Sequence, residues 1–316
     1  MLQKTETAFI TLLQPEHLPQ VQRLINMHLS TLVPGWGLPQ SYIASQLQRD
    51  PGQYVIDPWV QERATLCALV KQRVVAAAHL LRYSTGPEVG KDYQNVGDMA
   101  WFLAWPDASQ AAAMLLAAVH RQCVAWEVSR EYAWDAGLPI GPFVGVPDVW
   151  PHISTALEEA GYHLNPGRVE LVYGGALDQI LAAATPPITG MTIQRTMGSV
   201  TGARFVALLH GEEVGQCECD SDLTQGGELP ALQGWGEISE MQVKESWRNR
   251  DTGTWLLQQA VAWHRLGGGT RMLLSVTAED EAAGAGRFYQ RLGWQPLVRQ
   301  RVGWEWSEMT EAAASA

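Results

Sequence analysis

Starting at residue 9 and again at residue 191, the chain runs through one succession of patterns: a strand, a hairpin, a lone strand, a long amphipathic helix, a strand, a second helix and a closing strand. A repeated element order restricts the fold to two α+β units built alike. Short words echo the repeat. Ala207-Leu208-Leu209 follows Ala68-Leu69-Val70 by 139 residues, Leu256-Leu257 follows Leu115-Leu116 by 141, and Gly293-Trp294 follows Gly161-Tyr162 by 132.

In the first copy, strands are expected over 9–13, 64–70, 74–83, 98–105, 131–136 and 169–173, with helices over 15–32, 40–48, 108–127 and 149–160. Pro15 suits a first helical turn, and Asp107 is placed to cap the third helix. In the second copy, strands are expected over 191–196, 203–209, 214–220, 237–243, 271–276 and 297–304, with helices over 252–266 and 281–292. Only the first copy has room for two helices between its first two strands. A short helix over 176–184 followed by Thr185-Pro186-Pro187 reads as a stiff connector, since consecutive prolines cannot continue a helix. The expected division is therefore 1–176, a linker over 177–189, and 190–316.

With 316 residues, 46% apolar and 17% charged, the chain can fill two packed cores. A formal charge of −11 repels phosphate backbones and anionic lipid, which argues against nucleic acid as a partner. Cys67, Cys123, Cys217 and Cys219 lack the paired spacing of a zinc site and read as reduced thiols, so no metal is expected. The N-terminus has no signal-peptide pattern, and no run reaches the ~18 apolar residues needed to span a bilayer. A soluble, cytoplasmic protein with no membrane partner is the expectation.

The stretch from Gly236 to Leu257 carries the chemistry: a strand, a polar loop with two arginines, and a helix with Gly253 in its first turn. Free N–H groups at a helix N-terminus, helped by guanidinium groups, suit a pyrophosphate. Arg248-Asn249-Arg250-Asp251-Thr252-Gly253 resembles the Arg/Gln-x-x-Gly-x-Gly/Ala loop of the GNAT acyltransferase superfamily. Ala285-Gly286-Arg287-Phe288-Tyr289-Gln290-Arg291-Leu292-Gly293-Trp294 resembles that family's later Ala-x-x-x-Tyr-x-x-x-Gly-aromatic helix. The resemblance implies an α/β (α+β) fold of two tandem GNAT-like domains. Each would hold a mixed, mostly antiparallel twisted sheet flanked by helices.

It further implies acetyl-CoA as co-substrate, bound by the backbone of Met241, Gln242 and Val243 and by Arg248, Asn249, Arg250, Asp251, Thr252, Gly253 and Thr254. The acetyl group would pass directly to a small amine in a ternary complex. Tyr289 would protonate the departing sulfur, and the Val243 N–H would receive the oxyanion. Glu237 occupies the strand position of a family glutamate base. Glu240 is the other candidate and lies on the opposite face of a regular strand, three residues being an odd offset.

Two departures stand out. Asp251 replaces the loop's first glycine, where its carboxylate either sits near the phosphates or caps the helix. Ala282 stands where the family often has asparagine. The first copy's matching loop, Asp107-Ala108-Ser109-Gln110-Ala111-Ala112, has neither arginine nor glycine and reads as degenerate. The alternative is a non-catalytic ligand-binding or scaffolding protein of the same fold. His210, in a turn, and His264, near a helix end, are expected to be exposed. The sequence leaves open the acceptor, the acyl chain length and assembly into a homo-oligomer.

Overall fold

The computed structural model describes residues 8–49, 55–134, 136–137, 143–164, 168–178, 180, 185–198 and 202–307. Two compact units emerge: Met1–Glu170 together with Val298–Ala316, and Leu171–Leu297. The boundary thus falls before residue 176, and the end of the chain belongs with the first unit. The expected helix over 176–184 lies largely outside the described residues. Among the described residues, no helix is long and apolar enough to cross a membrane.

The first unit contains β1 (Phe9–Leu12), α1 (Leu18–Leu32), α2 (Gln40–Gln46), β2 (Val60–Val70), β3 (Arg73–Tyr83), β4 (Val96–Ala104), α3 (Ser109–Ala125), β5 (Arg130–Ala133), β6 (Val146–Pro147), α4 (Pro151–Glu159) and β7 (Tyr162–Leu164). Next come β8 (Val169–Ala176), β9 (Met191–Met197), β10 (Gly202–Leu209), β11 (Glu212–Asp220), β12 (Trp235–Val243), α5 (Thr252–Leu266), β13 (Arg271–Thr277), α6 (Ala278–Ala283), α7 (Ala285–Arg291), β14 (Gln295–Arg301) and β15 (Trp304–Trp306).

One sheet has the order β1-β2-β3-β4-β5-β15-β7, the other β6-β14-β8-β13-β12-β11-β10-β9. Two expectations are corrected here. The strand expected to close the first copy, β8, lies in the second sheet. The single strand expected over 297–304 is two strands, because Gly303, at φ 91°, turns the chain between them. β15 then lies antiparallel to both β5 and β7, with Trp304 opposite Ala133 and Leu164.

The two copies agree down to their irregularities. Lys71-Gln72 and His210-Gly211, 139 residues apart, both place two consecutive residues at positive φ, the hairpin turn that matches strand twist. The register shifts at Ala68/Leu69 in β2 and Ala207/Leu208 in β10, again 139 apart. A second shift inserts one extra residue in β4, Ala100, and one in β12, Ser239, at the same offset. β4 and β12 are each followed in register by one parallel strand, over Val96↔Arg130 to Asp98↔Tyr132 and over Trp235↔Arg271 to Ile238↔Leu274.

In the second unit, one face of the sheet presents Phe205, Ala207, Cys217, Cys219 and Ile238 to Leu256, Leu257, Ala260 and Val261 of α5. Cys217 and Cys219 are fully buried here, and burial pushes the Cys217 thiol well above its ordinary range. His264, expected to be exposed, is buried: its Nε2 lies 3.3 Å from the Gly234 carbonyl and 3.1 Å from that of Arg271. Asp107 does not cap α3, whose capping position is Ala108.

Trp304 is fully buried within the first unit. Trp304→Ala is expected to cost about 3–5 kcal/mol, and hydrogen exchange should lose protection at β5 and β7. Unchanged protection there would mean that β15 contributes little to that sheet.

Candidate active site in the second unit

The extra residue Ser239 sets the geometry of β12. Register partners share a face: Glu237 lies opposite Asp220 and Glu240 opposite Glu218, and Glu218 and Asp220 are two apart on β11. The bulge therefore brings Glu237 and Glu240 to the same face, correcting the alternation expected of a regular strand. Glu240 is exposed and its Oε1 accepts a 2.7 Å hydrogen bond from Gln216 Nε2; Gln216 Oε1 in turn accepts from Arg204. Glu237 is partly buried. Burial first, and then the neighbouring Asp220 carboxylate, push its pKa up to about 7.

Beyond Ile238↔Leu274, β12 and β13 have no register partners among the described residues. The Lys244 N–H donates to the Val214 carbonyl at 3.0 Å, so hydrogen-bonding groups of alternate residues, Gln242 and Glu240, also point toward β11. The peptide groups of Met241 and Val243 consequently point the other way, into a cleft of about 560 Å³. Its walls include Glu240, Met241, Val243, Arg248, Gly253 and Tyr289.

The floor of that cleft is the start of α5. The Trp255 N–H is the first in the helix to find an intrahelical acceptor, the Asp251 carbonyl at 2.9 Å, which leaves the N–H groups of Thr252, Gly253 and Thr254 unpaired within the helix. Asp251 occupies the capping position at φ 59°, a left-handed conformation, and its side chain caps nothing. This corrects one of its two expected roles: the residue keeps the glycine-like backbone shape and leaves its carboxylate exposed on the cleft wall. Asn249 takes the same conformation at φ 58°. A Cβ on Gly253 would stand 3.2 Å from Met241 Cε, so glycine lets the helix sit close to β12.

Arg248 lines the cleft, and its Nε donates to the Val243 carbonyl at 3.1 Å. Arg250 does not line it, and its guanidinium stands 5.2 Å above the Trp247 ring. Thr252 is also outside the described lining, and its buried Oγ1 has no partner among the described residues.

The helix expected over 281–292 is broken at Gly284, φ 108°, into α6 and α7. Tyr289 of α7 is buried, stacked on Trp294 at 5.9 Å, with its hydroxyl 3.6 Å from Met241 Sδ. Burial raises its pKa far above the ordinary phenol value, so it stays protonated.

Of the sequence-derived candidates, the cleft gathers Glu240, Met241, Gln242, Val243, Arg248, Asn249, Asp251, Gly253, Thr254 and Tyr289; it omits Glu237, Arg250 and Thr252. Sequence reasoning assigned no role to Asp280 or Arg291, which also line it. Gly284 was the readable signal, since a glycine inside a helical pattern marks a break that exposes the following turn.

Residues 201–296 match the family profile described as Acetyltransferase (GNAT) domain. A search of curated proteins returns no match. Among solved structures, a tandem GNAT protein from the clavulanic acid biosynthesis pathway aligns with a TM-score of 0.60 at 13% identity, over 95% of this chain and 98% of that one. A GCN5-related N-acetyltransferase from Sphaerobacter thermophilus aligns at 0.61 and 14% identity, over 94% and 95% of the two chains. A glucosamine N-acetyltransferase region of a fungal multi-domain β-N-acetylglucosaminidase aligns at 0.61 and 13%, over 95% of this chain and 38% of that one. At such identities the likeness establishes a shared fold.

The half-buried Glu237 carboxyl should titrate near pH 7, and Asp220→Asn should lower that midpoint by removing a like charge. Carboxyl NMR of the labelled protein checks both; a midpoint in the ordinary carboxylate range would remove the basis for assigning Glu237 a role in proton transfer.

Proposed function

We propose that this chain, a tandem GNAT-fold protein whose second unit carries the acetyltransferase domain, transfers an acetyl group from acetyl-CoA directly to a small amine. The observation that carries the reading is the convergence of three groups on one cleft: the outward peptide groups of Met241 and Val243, the open N-terminus of α5, and the protonated Tyr289 hydroxyl.

The residues fit the co-substrate. Unpaired helix N–H groups and Arg248 suit a pyrophosphate, and Gly253 leaves room for close approach. Acetyl-CoA, when bound, supplies an activated acetyl thioester. Met241 and Val243 would hold the pantetheine arm along the strand edge, and the Val243 N–H would donate to the thioester oxygen as charge builds there. Tyr289 would give its proton to the departing sulfur. Glu240, on the cleft wall, would accept the amine proton, and Glu237, on the same face and poised near neutrality, would pass it on through water. No acyl-enzyme is needed.

A second reading has one observation behind it. The exposed Asp251 carboxylate faces the cleft where negative phosphates would lie, as in a protein that kept the fold and lost the chemistry. Calorimetry with acetyl-CoA separates the two. Binding is expected; Arg248→Ala should weaken it about tenfold, and Asp251→Gly should tighten it. An absence of binding at millimolar acetyl-CoA would favour the non-catalytic reading.

With binding in hand, CoA release across amines, amino acids, amino sugars and peptides identifies the acceptor. Tyr289→Phe is then expected to lower turnover about a hundredfold with little change in acetyl-CoA affinity. An unchanged rate would remove Tyr289 from the mechanism.

A further inference from the structure

The first unit carries a cavity of its own, about 120 Å³, on the face of its sheet that corresponds to the Glu237–Glu240 face of the second. The offset of 139 equates Asp98 with Glu237 and Trp101 with Glu240, because the strand registers and the inserted residues Ala100 and Ser239 coincide. The cofactor side has changed. The loop before α3 has four residues, 105–108, where that before α5 has eight, 244–251. The Phe102 N–H, equivalent to that of Met241, is taken by the Ala136 carbonyl at 3.3 Å. Yet polar groups remain buried around this cavity.

Asp98 is 8% exposed. Its carboxylate accepts long bonds from Tyr83 Oη at 3.5 Å and the Trp134 N–H at 3.3 Å, and among the described residues it forms no ion pair. His79 is 4% exposed; its Nδ1 is 2.8 Å from Thr65 Oγ1, while its Nε2 has no partner among the described residues. Both side chains line the cavity, with Trp101 and Tyr93 among its aromatic walls. Arg63, the one cation among the described lining residues, is bound to Asp57 at 2.5 Å. A buried carboxylate with spare lone pairs, an unused imidazole nitrogen and aromatic walls together call for a donor that carries positive charge. Burial drives His79 down to about 4, so it is neutral at pH 7, whereas Asp98, raised to about 6, is mostly ionised.

We propose that this cavity is a binding site for a small aliphatic ammonium ion, held by the Asp98 carboxylate and His79 Nε2 against Trp101. A cavity of about 120 Å³ is small and suits a ligand of only a few heavy atoms. The site is independent of acyl transfer in the other unit.

Calorimetry of the full chain with propylammonium chloride, and with 1-propanol as the neutral match in shape, tests the proposal. Propylammonium is expected to bind while 1-propanol is not. Asp98→Asn should weaken binding by about tenfold or more, and Glu240→Gln, in the second unit, should leave it intact. If Asp98→Asn does not fold, the two probes on the unaltered protein together with Glu240→Gln still decide. Equal binding of the two probes, no heat at millimolar propylammonium, unchanged affinity in folded Asp98→Asn, or loss of binding in Glu240→Gln would each overturn it.

Discussion

A single inserted residue governs the second unit. Ser239 breaks the alternation of β12, so that two glutamates which a regular strand would separate face the same way. Past the bulge, β12 loses its register with β13, and peptide groups that would have completed a ladder are left for something else to bind. The Tyr289 hydroxyl and the N-terminus of α5 border that gap because Gly253 lets the helix approach and Gly284 lets α7 start afresh. Every chemical feature of the cleft follows from where the sheet stops being a sheet.

The first unit shows what remains when that opening closes. Its strand carries the same insertion, at Ala100, but a neighbouring carbonyl occupies the vacated N–H, and the loop that would bear cations is half as long. The first unit thus differs at the loop end of the groove, while buried polar residues line the face across from it. A buried carboxylate is costly, which makes Asp98 more informative than any apolar residue around it.

Most elements could be read from periodicity, because hairpins such as β10–β11 and amphipathic helices such as α5 bury one face and expose the other. The repeat was visible in word spacing, and the loop 248–253 with the helix around Tyr289 pointed to the cleft. What could not be read were the non-local choices. Nothing in the residues 169–173 says which of two similar sheets will accept them, and a bulge such as Ser239 adds no compositional mark to an otherwise ordinary strand. The capping role for Asp251 failed for a related reason: the residue type suits a cap, but the left-handed backbone aims the side chain elsewhere. His264 looked like an end-of-helix surface residue until the Gly267-Gly268-Gly269 turn folded back over it.

The placement of β15 between β5 and β7 bears on how the chain matures during synthesis. The strand that joins β5 to β7 in the first sheet emerges from the ribosome only after all of β9 to β14 has been made. Until then, β5 and β7 have open edges with no native neighbour, and such edges invite mispairing. β5 and β7 are therefore among the last strands to reach their final partners, although the chain that carries them is made early, ahead of β9 to β14.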